Sequence, residues 1–323
     1  MKDSIEISFV VIGYNERKTL RGCLESIRDA DLNELAYEVI YVDGGSSDES
    51  INVAEESFVD LLLGGDRRRK AAENRNLGAR HATGKFIQFL DGDMKINREW
   101  TANAYAFINK NPIVASVCGY INESGNGFFK RVLEIDWFHN AGEVKHCGGA
   151  ALWRREILLK MGGFPEDVSY GEEPYLCWRI RNELGMKIFF LNQQMVTHDL
   201  GFSGVRDYWR RNIRCGETYS EIASLCFNSP DRLYLKETIS NFSWGALALI
   251  CLTLFFIGPH WLRFLIVIGA ALVLARKSIQ MFQRGHDLCV SMVYAFHIYF
   301  SKLPLALGGL IWLFRSLKED KPI

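Results

Sequence analysis

Three times within its first 93 residues the chain runs through a β-branched, apolar stretch and stops at acidic or amide side chains. Ile5-Glu6-Ile7-Ser8-Phe9-Val10-Val11-Ile12 stops at Gly13-Tyr14-Asn15-Glu16, and Tyr37-Glu38-Val39-Ile40-Tyr41-Val42 stops at Asp43. The third run, Gly84-Lys85-Phe86-Ile87-Gln88-Phe89-Leu90, stops at Asp91-Gly92-Asp93. Near-continuous apolar runs of this length suit parallel strands covered on both faces. Between the first two, residues 19–27 carry apolar side chains at helical spacing, and Ser47 or Asp48 can cap a helix starting near Glu49. The βαβαβ alternation predicts an α/β fold with a right-handed, doubly wound, mostly parallel sheet. Ligands in such sheets bind outside the carboxyl ends of the strands. Tyr14, Asn15, Glu16, Asp43, Asp91, Gly92 and Asp93 all fall there.

Asp91 and Asp93, one glycine apart at a strand end, can project together into the crevice above the sheet. Carboxylate oxygens suit hard divalent cations such as Mg²⁺ or Mn²⁺, and such a metal can bridge a diphosphate. An ordinary Asp-Gly turn would use the same residues; three strands ending in this way favour the site.

The ordered stretches around these strand ends resemble those of family 2 glycosyltransferases. They are Val10–Glu16, Val42–Asp48, Asn74-Arg75-Asn76-Leu77-Gly78-Ala79, and Ala82-Thr83-Gly84-Lys85 leading into Asp91-Gly92-Asp93. Gly148-Gly149-Ala150 with Trp153-Arg154-Arg155-Glu156, Gly162-Gly163-Phe164-Pro165 and Gly171-Glu172-Glu173 follow. The similarity covers roughly residues 4–215. It implies the GT-A fold, a nucleotide-sugar donor and inversion at the anomeric carbon. It also implies that Tyr14, Asn15, Glu16, Asp43, Asp91 and Gly92 serve the nucleotide sugar, and that Arg75 meets the diphosphate. Asp93 becomes the metal ligand, with Asp91 a second candidate, and His198 resembles a late histidine that completes the metal site in many such enzymes. The usual acidic pair is Glu-Asp, whose aspartate deprotonates the acceptor. Here it reads Glu172-Glu173, so Glu173 is the expected base and Glu172 the fallback.

Formal net charge is zero, which argues against affinity for nucleic acid through bulk charge. Arg67-Arg68-Arg69-Lys70 is a local basic run, either a solvated face or a holder of donor diphosphate or anionic headgroups. Eight scattered cysteines show no zinc spacing and are expected to be free thiols in a reducing compartment. The polar N-terminus enters a strand almost at once, so no signal peptide is expected there.

Composition changes after Lys236. Trp244 to Ile257 and Trp261 to Ala275 are nearly all apolar, with Gly258-Pro259 between them. They predict a helical membrane hairpin over about 241–275. A third apolar stretch, about 288–314, contains His297, Lys302 and Pro304 and is expected either to span or to lie in the interface. Cations at the outer ends of these segments (Arg232, Lys236, Arg276, Lys277, Arg284, Arg315) put those ends, and the catalytic domain, in the cytoplasm. The expected division is therefore a GT-A domain over 1–230 and a membrane region over 231–323.

The Gln-x-x-Arg-Trp segment of processive synthases is absent from the region 207–216, which favours single sugar addition. Arg210, Arg211 and Arg214 can share a helix face and hold a lipid diphosphate, or form a charge belt beside the membrane. The leading expectation is transfer from a UDP-sugar to a polyprenyl-diphosphate-linked glycan during bacterial surface polysaccharide assembly, at the inner membrane. Transfer to polyprenyl phosphate itself, and a catalytically dead scaffold, are the rivals.

Overall fold

The computed structural model describes residues 5–123, 132, 135, 140–198 and 204–318. The chain forms two compact units. The first takes residues 1–125, 136–168 and 172–200, and the second takes 126–135, 169–171 and 201–323.

The first unit is built on a nine-stranded sheet in the order β3-β2-β1-β4-β8-β6-β9-β5, with β7 added to β9. Strands β1 (Ile7–Gly13), β2 (Tyr37–Asp43), β3 (Leu61–Gly64) and β4 (Phe86–Asp91) are parallel. The helices α1 (Leu20–Arg28), α2 (Ser50–Glu55) and α3 (Ala71–His81) lie between them in the chain. Of the three expected strands, β2 and β4 end on their aspartates, Asp43 and Asp91, and β1 ends three residues before Glu16. Phe9, Val10, Val11, Val39, Ile40, Val42, Ile87, Phe89 and Leu90 have no exposed surface, as strands covered on both faces require. The Asp48 carboxylate accepts from the Ser50 amide and hydroxyl, the first of these at 3.0 Å, and so starts α2.

Beyond β4 the sheet is mixed. β8 (Leu152–Arg154) pairs antiparallel with β4 and with β6 (Val114–Glu123), and β9 (Lys187–His198) runs parallel to β6. Strand β5 (Met94–Ile96) pairs antiparallel with β9, and so does β7 (Gly142–Val144). Buried Gln88 ties β4 to the adjoining layers: its amide donates to Ala150 O at 2.9 Å and its carbonyl accepts from Trp100 Nε1 at 2.9 Å. Trp100 opens α4 (Trp100–Lys110). Two further helices follow, α5 (Arg155–Lys160) and α6 (Glu172–Leu184).

The second unit is helical: α7 (Val205–Leu225), α8 (Leu235–Ile257), α9 (His260–Gln283), α10 (Leu288–Phe300) and α11 (Lys302–Lys318). α7 belongs with these helices, so the change of unit falls near residue 200, upstream of the expected 230. The reason is close packing. A Cβ at Gly216 of α7 would land on Leu305 O, and one at Gly308 of α11 would land on Ile213 O. The two backbones therefore touch directly. Periodicity in the apolar residues alone does not reveal such a contact.

By length and composition, two described helical stretches can cross a membrane, Leu235–Ile257 and Leu288–Lys318. The first is hardly buried, with Leu249, Ile250, Leu252, Phe256 and Ile257 exposed, and α9 exposes Trp261, Phe264, Leu265, Val267 and Leu272. The third apolar segment is two helices that meet at Ser301, with Pro304 in the first turn of α11, where no backbone donor is needed. Its polar residues point to partners: Lys302 Nζ donates to Asn241 Oδ1 at 2.7 Å, and His297 Nδ1 lies 2.9 Å from the Tyr208 hydroxyl.

Candidate active site

The carboxyl ends of β1 and β2 are stitched together by their loops. Asn15 adopts a left-handed conformation, φ 59°, and its amide donates to Ser46 Oγ at 2.9 Å while its side-chain oxygen accepts from the Ser47 amide at 2.8 Å. The Glu16 amide donates to Ser50 Oγ at 2.8 Å. Asp43 closes the β2 turn: Oδ2 accepts from the Gly45 and Ser46 amides at 2.8 and 2.7 Å, and Oδ1 from the Tyr41 hydroxyl at 3.2 Å. Asp43 has no exposed surface. Asp43 thus holds the turn that follows β2. Tyr14, by contrast, is exposed, and the Arg68 guanidinium lies 3.4 Å from the centre of its ring. Arg68 sits in the basic run, but nothing in the sequence separates it from Arg67 or Arg69.

At the end of β4 the two aspartates diverge. Asp91 Oδ1 accepts from Arg75 Nη2 at 3.0 Å. Asp93 turns the other way, with Oδ2 3.3 Å from His198 Nε2. This meeting follows from topology, because Met94 of β5 is the register partner of His198 at the end of β9. Asp93 Oδ1 is buried with no hydrogen-bond partner. An orphaned carboxylate oxygen beside an imidazole is costly unless a cation takes it up, and oxygen plus imidazole suits a divalent ion of the Mn²⁺ kind. Asp93 and His198 thus fit a metal, although no group of three or more His, Cys, Asp or Glu able to hold one occurs among the described residues. The remaining ligands would have to come from elsewhere. Glu16 sits over Gly92, whose added Cβ would come 3.1 Å from Glu16 Cγ. Burial, and then Asp93, Asp91 and Asp48, push its carboxyl above the ordinary range against the lowering effect of the Thr19 hydrogen bond.

Arg75 is the centre of the site. It is carried by α3 and only 3% exposed. Nη1 donates to Glu172 Oε1 at 3.0 Å and to Glu173 Oε1 at 2.8 Å, while Nη2 holds Asp91. One guanidinium thus gathers three carboxylates from β4 and the first turn of α6. A Cβ at Gly149 would land on Arg75 Nη2 and come 3.0 Å from Glu173 Oε1, so this position in the Gly148-Gly149-Ala150 loop has no room for a side chain. Burial and the adjacent Glu172 raise the Glu173 carboxyl to about 7, against the lowering effect of Arg75. Its side chain retains 14% exposure, enough for a small group to reach it.

Other motif residues prove to be supports. Asn76 accepts from the Phe164 amide at 2.7 Å and donates to Phe164 O and Glu166 Oε1, each at 2.8 Å, which fixes the Gly162-Gly163-Phe164-Pro165 loop. Arg154 Nε donates to Val114 O at 2.8 Å. Arg210, Arg211 and Arg214 all lie on α7 in the helical unit, and Arg214 stands 5.7 Å over the Tyr170 ring. All eight cysteines are free thiols.

Residues 8–161 match the family described as Glycosyl transferase family 2. A dolichyl N-acetyl-α-D-glucosaminyl phosphate 3-β-D-2,3-diacetamido-2,3-dideoxy-β-D-glucuronosyltransferase of Methanococcus voltae is 25% identical over 249 residues, covering 72% of this chain and 71% of that protein. Glycosyltransferase AglE of Haloferax volcanii is 27% identical over 248 residues, covering 74% and 79%. Among solved structures, the mannosyltransferase PcManGT of Pyrobaculum calidifontis with GDP-Man and Mn²⁺ aligns over 96% of this chain and 88% of its own, with a TM-score of 0.71 at 20% identity. Residues 8–161 thus form a glycosyltransferase family 2 domain, and the chain has the GT-A fold.

Proposed function

We propose that this family 2 enzyme is an inverting, non-processive transferase that moves one sugar from a nucleotide-sugar donor to a membrane-held acceptor. The observation that carries this reading is the pairing of two unlike acidic centres at the strand ends. Asp93 keeps one unpartnered oxygen beside His198, and Glu173 is a largely buried carboxylate whose side chain retains 14% exposure. A divalent cation held by Asp93 and His198 would neutralise charge on the departing diphosphate. Glu173 accepts the acceptor's hydroxyl proton as that oxygen bonds to the anomeric carbon and the bond to the diphosphate oxygen breaks on the opposite face. With its carboxyl near 7, Glu173 is poised between its two forms at neutral pH, where a general base works best. The nucleotide is assigned to the Tyr14, Asn15, Glu16 and Asp91 side of the cleft.

Two relatives guide the choice of partners. The dolichyl-phosphate-linked substrate in the name of the archaeal relative supports a lipid-linked acceptor, here a polyprenyl-diphosphate-linked glycan in surface polysaccharide assembly. UDP is the first nucleotide to test, with GDP next because PcManGT holds GDP-Man. The apolar helices support attachment to the inner membrane, with the catalytic unit on the cytoplasmic side. Arg210, Arg211 and Arg214 are assigned to the acceptor's phosphate groups.

The test is a thermal-shift screen of purified protein against UDP- and GDP-sugars with Mn²⁺ or Mg²⁺, since a ligand of the folded state raises its melting temperature. Transfer to a polyprenyl-diphosphate sugar is then compared with transfer to polyprenyl phosphate. Protein that leaves the membrane fraction on a carbonate wash would rule out the membrane assignment. A folded Glu173→Gln enzyme that transfers at the wild-type rate would rule out the base.

A further inference from the structure

We propose that Arg75 is a positioning residue for Glu173: it acts on transfer through that carboxylate and not through the donor diphosphate. This inference rests on the reading of Glu173 as the base.

The guanidinium is already committed. Both Nη groups are bonded to carboxylates, and Nε is buried without a partner. The side chain is 4% exposed, so no free edge faces an incoming phosphate. Phe164 covers it, with the ring centre 5.8 Å from Cζ. Gly149 closes another side, because any Cβ there would overlap Nη2.

The geometry at the helix start points the same way. Neighbouring residues on a helix project about 100° apart and do not face each other. Glu172 and Glu173 nevertheless both reach Nη1 of Arg75. The guanidinium therefore lies across the N-terminal end of α6 and draws both side chains inward. Glu173 Oε1 is fixed by this bond. A carboxylate one methylene longer than the family's aspartate has one more rotatable bond, so an anchor on one oxygen matters more here.

Charge supports the role as well. Three carboxylates meet one cation in a largely buried place. Removal of the cation would favour the protonated form of Glu173, which cannot act as a base.

The experiment uses the full-length enzyme in detergent, with Arg75→Lys, Glu173→Gln and the double variant, and reads donor dissociation constants and transfer rates separately. Arg75→Lys keeps a charge but cannot hold three carboxylates in a fork. The expected result is a kcat at least about tenfold lower and a smaller loss of donor affinity, since Arg75 also holds Asp91 on the nucleotide side. The double variant should be no slower than Glu173→Gln alone, because residues that act as one unit are not additive. Weakened donor binding with kcat retained would overturn the inference, as would rate losses that multiply in the double variant. If Arg75→Lys does not fold, Arg75→Gln keeps a planar donor on the same stem without the fork, and the same signature is expected. If Glu173→Gln alone transfers normally, the base reading fails and takes this inference with it. A slow Glu173→Gln combined with an independent effect of Arg75→Lys overturns only the positioning role.

Discussion

The two units of this protein differ in how their buried charges are balanced. In the helical unit several buried polar groups have a matched partner: Glu217 accepts from Arg315 at 3.0 Å, Asn241 from Lys302 at 2.7 Å, and His297 lies 2.9 Å from the Tyr208 hydroxyl, although Ser291 Oγ and Arg263 Nε are buried without a partner. In the catalytic unit the account is left unbalanced. Arg75 faces three carboxylates, and Asp93 keeps an oxygen with no partner. Folding alone gains nothing from a surplus of buried negative charge, which raises carboxyl groups out of their ordinary range. Imbalance of this kind is retained where an incoming cation or proton relieves it. The contrast separates residues that build the molecule from residues that work in it.

The largest expected effect comes from the unsatisfied aspartate. Asp93→Ala should abolish turnover and the metal dependence of donor binding, while melting at or above the wild-type temperature because it removes an unpartnered buried oxygen. Sugar transfer and calorimetric titration of the donor with and without Mn²⁺ check both halves. A variant that transfers normally would put the metal elsewhere.

The next effect is a pH dependence. With Glu173 near 7, the wild-type rate should fall as pH drops below about 7, approaching tenfold per unit, as the base becomes protonated. Stability should change in the opposite sense. The folded state holds this proton up to about 7, against an ordinary value of 4.5, so the folded protein binds the extra proton across that window and is destabilised as pH rises through it. Glu173→Gln removes this penalty. Its gain in melting temperature over wild type should be greatest above pH 7 and vanish near pH 4.5. A gain that does not vary with pH would mean that Glu173 titrates normally.

The same contrast explains what could be read in advance. β1, β2 and β4 were legible because strands buried on both faces leave unbroken apolar runs, and Asp91-Gly92-Asp93 stands where such a run ends. The meeting of Asp93 with His198 was legible only through family resemblance, since it depends on a β5–β9 pairing between residues about a hundred positions apart. That Asp43 also holds its own turn was not legible, because an aspartate after a strand looks the same whether or not it accepts from the amides that follow it. Arg75 was found by its motif, but no spacing rule says that its partners are Asp91, Glu172 and Glu173. In the helical unit the apolar character was plain, whereas the membership of α7 depends on glycine contacts that hydropathy does not record.

Those contacts give the third prediction. Gly308→Leu forces a side chain into the backbone of α7 and should destabilise the protein by about 1–3 kcal/mol or more, read as a lower melting temperature. Gly269→Leu on α9 is the control, because a Cβ there meets nothing within 4 Å, and it should be within about 0.5 kcal/mol of wild type. Equal effects at the two positions would mean that α7 and α11 are not packed backbone to backbone.

The smallest expected effect is the most direct test of the contrast. If the Lys302–Asn241 pair is structural, it should be replaceable as a unit. Asn241→Leu alone removes the acceptor at 2.7 Å from Lys302 Nζ and should cost about 1–3 kcal/mol, the usual worth of stranding a buried donor. Adding Lys302→Met fills the space with apolar atoms and removes the stranded charge, so the double variant should return to within about 1 kcal/mol of wild type. Transfer measured in the same membranes should be unchanged, since neither residue belongs to the catalytic unit. The corresponding exchange at Arg75 has no neutral form, because replacing the cation leaves three carboxylates facing one another. A double variant as unstable as Asn241→Leu, or one that folds well but loses transfer, would show that the helical unit also holds polar groups in reserve for function.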